Sequence, residues 1–259
     1  MKSSTDFLPS LPQSFLLIGA PGTGKTTIAL QLPKPFILDC DGNLNGPVKF
    51  LTSGNRLSQP WFYDTPFTLK DGKPTTRVKL LERCTELLSE AANSPDVETI
   101  VIDSLTSFVQ FVFIQTLVNQ KRPPADGFNV TVSDSAFEQR DWGVFFGLMQ
   151  RTIFWLKGCG KRIVICAHIK TDKDEMKGTL LNFINVPGQI RDFLSGWFEE
   201  AWQVTVETTG VPGTSSFKET RKILTVPDSR SANLGLKTSS GLGACFSPDD
   251  VSKLVASKK

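Results

Sequence analysis

With 259 residues, 39% of them hydrophobic, the chain has enough apolar material for the full core of one α/β domain, and disordered and fibrous classes are excluded. A formal net charge of +3 is too small to announce a nucleic-acid partner, so any such partner must be argued from local patches. No apolar run approaches the roughly 20 residues that cross a bilayer, and "MKSSTDFLPSLPQ" lacks the segments of a secretory signal; the expectation is a cytoplasmic protein with no membrane partner.

In chain order, "SFLLIG" (14–19) predicts a strand, "KTTIALQL" the helix leaving a glycine-rich turn, and "PFILD" (35–39) a second buried strand. A looser Gly/Pro/Asn-rich stretch runs from Asp41 to about Lys73. Val78, Leu81, Cys84, Leu88 and Ala91 then fall at steps of three and four, a helix that "NSP" stops. "TIVIDS" (99–104) is a β-branched run suited to a strand covered on both faces, and a helix over about 105–119 follows it. Residues 119–134, with two adjacent prolines, predict a loop. Ser135 and Glu138 make a capping box for a helix whose apolar face carries Trp142, Phe145, Phe146, Met149, Ile153 and Leu156. "RIVICAH" (162–168) predicts another buried strand, 169–187 an irregular stretch, and "EEAWQVTVE" with "KETRKILTV" a hairpin around "TTGVPGTSS". The five cysteines, Cys40, Cys84, Cys159, Cys166 and Cys245, never form a CxxC pair, which argues for reduced thiols and against a zinc site.

Strands alternating with helices imply a mostly parallel sheet, in which ligands collect at the carboxyl ends of the strands. "GAPGTGKTT" matches the phosphate-loop pattern G-x-x-x-x-G-K-[ST] through Gly19, Gly24, Lys25 and Thr26. Backbone amides within Gly19, Ala20, Pro21, Gly22, Thr23, Gly24, Lys25, Thr26 and Thr27 would cradle the phosphates of ATP, those of residues 22–27 above all, aided by the helix N-terminus. Lys25 would reach the β- and γ-phosphates and the Thr26 hydroxyl would ligate Mg²⁺. Asp103, ending "TIVID", sits where a second metal-shell acid is needed; its bland alternative is a helix N-cap. The residue after it is Ser104, not the water-orienting glutamate of AAA+ enzymes. Asp41, in "FILDCDGN", could serve as general base or water clamp, with Asp39 as the other candidate; the alternative for Asp41 is an Asx-turn. His168, the single histidine, follows a strand end where a side chain could report on the γ-phosphate, or could simply pack.

Taken together, "FILDCDGN", "TIVIDSLTSF" and "VICAHIK" behind the phosphate loop resemble the RecA-like ATPase core. More narrowly, with "DWGVFFGLM", "AHIKTDKDE" and "VPGQIRDFLSGWFEEAWQV", the chain resembles short phage nucleotide-binding ATPases of the AAA_24 type, which include the Sak-four group of annealing and recombination proteins. The resemblance spans roughly residues 14–240. It implies one RecA-like domain over 1–259, with a core at about 14–207 and a C-terminal hairpin and tail beyond. It further implies an ATPase with catalytic residues Lys25, Asp41, Asp103 and His168, metal held by Thr26 and Asp103, single-stranded DNA as partner, a homo-oligomeric ring or filament, a single-strand DNA-binding protein as a further partner, and residence in a host cytoplasm if phage-encoded. Two departures stand out: the family's acid after the second strand is usually glutamate and here is Asp41; and "PDSRSANLGLKTSSG" offers Arg230 and Lys237 as trans-acting cations without a Lys-x-Arg spacing. In that fold the loops after the Walker B helix and the sensor strand hold DNA, which nominates Lys121, Arg122, Phe128, Lys170, Lys173 and Lys177. Two rivals stay open: a small-molecule or nucleotide kinase, and a non-catalytic nucleotide-gated module.

Overall fold

β1 (Ser14–Gly19) is buried along its whole length, and its apolar run takes the centre of a sheet. The computed structural model describes residues 13–53, 60–122, 137–173, 178–210, 212–213, 216–239, 243–247 and 251. Around β1 stand β2 (Pro35–Asp39), β3 (Phe62–Asp64), β4 (Thr99–Asp103), β5 (Arg162–Lys173), β6 (Leu180–Ile184), β7 (Glu200–Thr209), β8 (Lys218–Leu224) and β9 (Cys245–Phe246). The sheet order is β3-β2-β4-β5-β1-β7-β8-β9, with β6 paired only to β5. From β3 to β7 every pairing on that path is parallel; β8, β9 and β6 are antiparallel additions. The fold is the expected α/β P-loop NTPase core, a mostly parallel sheet flanked by helices with an antiparallel hairpin toward the C-terminus.

Alternation along the strands splits the core in two. Leu16, Ile18, Ile100, Ile102, Ile163 and Ile165 face α3 (Leu80–Asn93), α4 (Leu105–Asn119) and α5 (Gln139–Gly158). Phe15, Leu17, Val101, Val164 and Cys166 face α1 (Lys25–Ala29) and α2 (Asn45–Ser53). α4 is apolar nearly all round, because it lies between α3, α5 and the sheet and buries Phe108, Val109, Val112 and Phe113 among others. Each such side chain contributes about 1.5–3 kcal/mol on leaving water. Phe113 stacks on Phe145 with ring centroids 4.5 Å apart, joining α4 to α5. Cys40, Cys84 and Cys166 are buried free thiols, as their scatter predicts. No helix among the described residues is long and apolar enough to cross a membrane. A short helix, α6 (Ile190–Phe193), lies between β6 and β7.

Four local expectations change. The stretch from Asp41 to Lys73 contains α2 and β3; α2 fully buries only Leu51 and starts through Gly46-Pro47, so no apolar period advertises it. The helix after the phosphate loop ends at Ala29, with Pro33 close behind. The long helix is capped at Glu138, whose N–H donates to Asp141 at 2.7 Å while Arg122 pairs with the same carboxylate; Ser135 lies outside the described residues. The stretch 169–187 is not irregular throughout: β5 continues to Lys173 and pairs with β6, with Ile169 opposite Ile184 and Lys173 opposite Leu180. Charges at Lys170, Asp172 and Lys173 mask the period-two signal there.

Candidate functional site

β1 ends at Gly19, while its neighbours β5 and β7 run on, and the phosphate loop rises in the gap. A Cβ on Gly19 would lie 2.6 Å from the Val204 carbonyl oxygen and 2.7 Å from Thr23 Oγ1, so only glycine fits. Gly22 (φ 77°) and Gly24 (φ 103°) take the left-handed conformation that turns successive amides inward. Because α1 has only five residues, the grip on phosphate lies chiefly in these amides and in Lys25 rather than in a long helix dipole.

Lys25 Nζ donates to the carbonyls of Gly19 and Ala20, each at 2.9 Å, and lies 3.4 Å from His168 Nδ1. Burial lowers its pKa, against the pull of Cys166, Asp103 and Asp41. Thr26 Oγ1 donates to Asp103 Oδ2 at 2.5 Å. Burial raises the Asp103 pKa, and the nearby Asp41 and Asp39 add to that, while Thr26 and Lys25 oppose it. Two charge-bearing groups held apart from water in this way are both better placed once a cation and a polyphosphate arrive.

The β2 and β4 ends are laced together by the Cys40 N–H, which donates to the Asp103 carbonyl at 2.6 Å. Asp39 Oδ1 accepts from the amides of Asp41, Gly42 and Asn43 at 3.2, 2.7 and 3.3 Å. The Asx-turn therefore belongs to Asp39, which leaves the Asp41 side chain free for the cavity. Ser104 Oγ donates to Asp41 Oδ1 at 3.1 Å, and His168 Nε2 lies 3.4 Å from Asp41 Oδ2. The His168 ring therefore stands between the Lys25 ammonium and the Asp41 carboxylate, within 3.4 Å of each. Burial pushes the Asp41 carboxyl up, but hydrogen bonds from His168, Ser107 and Ser104 and the attraction of His168 outweigh it and hold its pKa at about 2.

These groups line one cavity of about 530 Å³, with Pro21, Gly22, Gly24, Lys25, Thr26 and Thr27 on one side and Asp39, Asp41, Asp103 and His168 on the other. Three carboxylates against the cations Lys25 and Arg221 leave the cavity short of positive charge for a polyphosphate. No cluster of three or more His, Cys, Asp or Glu among the described residues is placed to hold a metal alone. A hard cation shared between Thr26, the Asp103 carboxylate, water and phosphate oxygens fits that donor set, and this is how Mg²⁺ binds best. When bound, Mg²⁺ would screen the charge that develops on the phosphates.

The other nominated residues are scattered. Lys121 is exposed after α4, and Arg122 pairs with Glu138 and Asp141 at the start of α5. Lys170 pairs with Asp172 at 3.2 Å and Lys173 is exposed, both on the β5 arm. Phe128 and Lys177 lie outside the described residues. The Arg230 carbonyl receives the Asn182 N–H at 2.8 Å, which places it beside β6. Lys237 bridges to Ala201, opposite the middle of β1, with burial and Lys157 lowering its pKa and Glu200 and Glu199 opposing. Sequence reasoning missed Ser104 and Ser107, the hydroxyls that steer Asp41, and missed Phe50 and Arg221 at the cavity wall. The Ser104 signal was present, since a serine directly before an apolar helix is an N-cap, and its side chain accepts from the Ser107 N–H.

No curated protein matches the chain. Residues 11–232, from just before β1 to the turn after β8, match AAA_24, described as an AAA domain. Because that span takes in every strand and loop that lines the phosphate cavity, the chain belongs to the AAA_24 family of P-loop, ATPase-like nucleotide-binding domains.

Proposed function

We propose that this protein hydrolyses ATP with Mg²⁺, and that single-stranded DNA lying along the β5–β6 arm governs the rate, as a recombination, annealing or repair ATPase of the phage type. What carries the catalytic half is the convergence of Asp41 and Asp103, from the ends of β2 and β4, and His168, from the middle of β5, on Lys25 and Thr26. Lys25 and the loop amides hold the β- and γ-phosphates, and Thr26 and Asp103 hold the metal. A carboxylate with a pKa of about 2 is a feeble proton acceptor, so Asp41 acts by orienting the attacking water rather than by taking its proton first. His168, touching both Lys25 and Asp41, registers whether a γ-phosphate has claimed them.

Support for the DNA half is continuity: β5 passes from His168 without a break into the arm that bears Lys170 and Lys173, so a strand bound there shares a rigid element with the sensor. Assembly into a homo-oligomer would bring Arg230 or Lys237 of one copy to the site of the next, and a single-strand DNA-binding protein is a fitting companion on the same substrate. The deciding experiment is ATP turnover with and without single-stranded DNA. Stimulation is expected; turnover indifferent to DNA removes the DNA half. Transfer of phosphate to a small acceptor would indicate a kinase, and tight binding without turnover a nucleotide-gated module.

A further inference from the structure

We propose that Arg221 is a polyphosphate-holding residue of this site, supplied by the same chain that carries the phosphate loop. The proposal rests on the nucleotide function above and extends it to a residue that no sequence motif marks. β8 pairs antiparallel with β7, placing Ile223 opposite Val204 and Arg221 opposite Val206. Side chains two apart on a strand share a face. Ile223 packs into the core beneath α1 and α2, so Arg221 projects from that same face, one step further along. β1 pairs with β7 only as far as Ile18 opposite Gln203, so Val206 and its partner Arg221 lie past the end of the phosphate-loop strand. The guanidinium is thereby carried over the loop.

The contacts agree with that placement. Arg221 lines the same cavity as Lys25, Thr26 and Asp103. Its Cδ lies 3.2 Å and its Nε 3.3 Å from where a Cβ on Gly24 would stand, hard against the loop backbone. The guanidinium rests over the Phe50 ring, 5.0 Å from its centroid, from the opposite wall. Its Nε is shielded from water with no hydrogen-bond partner among the described residues, and it makes no ion pair with a described carboxylate. An arginine is a permanent cation with five donors in a fixed fork. Held against an anion-binding loop with a buried donor unspent, it is matched to phosphate oxygens, and the Phe50 face gives the charge a resting place until they arrive. Lys222, the next residue, faces the other way and pairs with Glu207 at 2.6 Å. Nucleotide grip on this chain is therefore completed in cis, whatever a neighbouring copy adds to hydrolysis.

The test is competition binding of ATP, ADP and AMP with Mg²⁺ against a fluorescent ATP analogue, on wild type, Arg221→Gln, Arg221→Lys and Lys222→Ala, each with a nucleotide-free thermal melt. Arg221→Gln should weaken ATP by about tenfold or more and AMP much less, with Arg221→Lys intermediate and Lys222→Ala like wild type. Wild-type ATP affinity should not change with protein concentration. The proposal is overturned if Arg221→Gln, melting like wild type, binds ATP within about twofold of it. It is equally overturned if ATP and AMP lose affinity alike, which would put the guanidinium on the base, or if Lys222→Ala matches the loss, which would make it a general field effect. Should Arg221→Gln not fold, Arg221→Lys decides: full ATP affinity in that variant overturns the proposal. A wild-type protein that binds no ATP overturns the nucleotide function itself, and this inference with it.

Discussion

Asp41 is ionised because three donors, the Ser104 and Ser107 hydroxyls and the His168 ring, meet it where burial alone would favour the acid. Asp41→Asn keeps the shape and loses the acceptor that aims the water, so kcat should fall by about 10²–10³ while the ATP Kd stays within a few-fold, as single-turnover and binding measurements would reveal. The same carboxylate has a pH signature. Its folded pKa is depressed, so its contribution to stability is present above the ordinary value of 3.8 and is lost as pH falls toward about 2. With partial exposure discounted, that contribution is on the order of 1 kcal/mol. Urea melts of wild type and Asp41→Asn should differ by about that much at pH 6 and converge as the pH approaches the folded value. A gap that is equal at both ends would mean that the hydrogen bonds to His168, Ser104 and Ser107 do not favour the charged form.

At the level of elements, the phosphate loop and the β7 arm are fitted backbone to backbone. Gly19→Ala would push a methyl against the Thr23 hydroxyl and into the Val204 carbonyl, which cannot retreat without moving β7. A loss of about 3 kcal/mol in folding stability is expected, with nucleotide binding impaired in whatever remains folded; a melt like wild type would disprove the close approach. On the other arm, Lys170→Ala together with Lys173→Ala should weaken single-stranded DNA binding and flatten its salt dependence, leaving basal turnover unchanged. Unaltered DNA affinity in that double variant would move the DNA track elsewhere.

Elements also differ in how plainly the sequence announces them. β1, β2, β4 and the first half of β5 are unbroken apolar runs because helices cover both faces, and the phosphate loop, Asp103 and His168 follow directly from where those runs stop. α2 and β6 were opaque for the opposite reason: α2 is mostly exposed and β6 is mostly half-buried, so solvent tolerates residues that erase the period. The Asx-turn at Asp39 rather than Asp41 depends on which carboxylate the chain turns back toward, and two aspartates two residues apart do not distinguish that. Arg221 is invisible in sequence because its importance arises from strand register between segments nearly two hundred residues apart. "KETRKIL" reads as any charged edge strand.

Across the whole molecule, a buried acid helps to fasten the C-terminal segment to the sheet, beside the Lys237–Ala201 bridge and the β8–β9 pairing. Glu200 accepts from Trp202 Nε1 at 2.7 Å and from the Ser239 amide and hydroxyl, each at 2.8 Å, while being wholly shielded from solvent. Glu200→Ala strands three donors at once and should cost about 3 kcal/mol, with Glu200→Gln recovering part of it; equal melts for all three would leave that segment without a fastening role. The lengths of the central strands have a mechanical corollary. β1 stops at Gly19 between two neighbours that continue to Lys173 and Thr209, so the phosphate loop rises in a notch between two prongs, and a cleft beside the loop, separate from the phosphate cavity, is walled by Thr171 and Asn182 on one prong and Thr205 and Glu219 on the other. On the proposed function, a load that spread or pinched the prong tips would alter the notch width at its root, and a tug on a bound polymer would reach the fuel-holding bend as a change of fit.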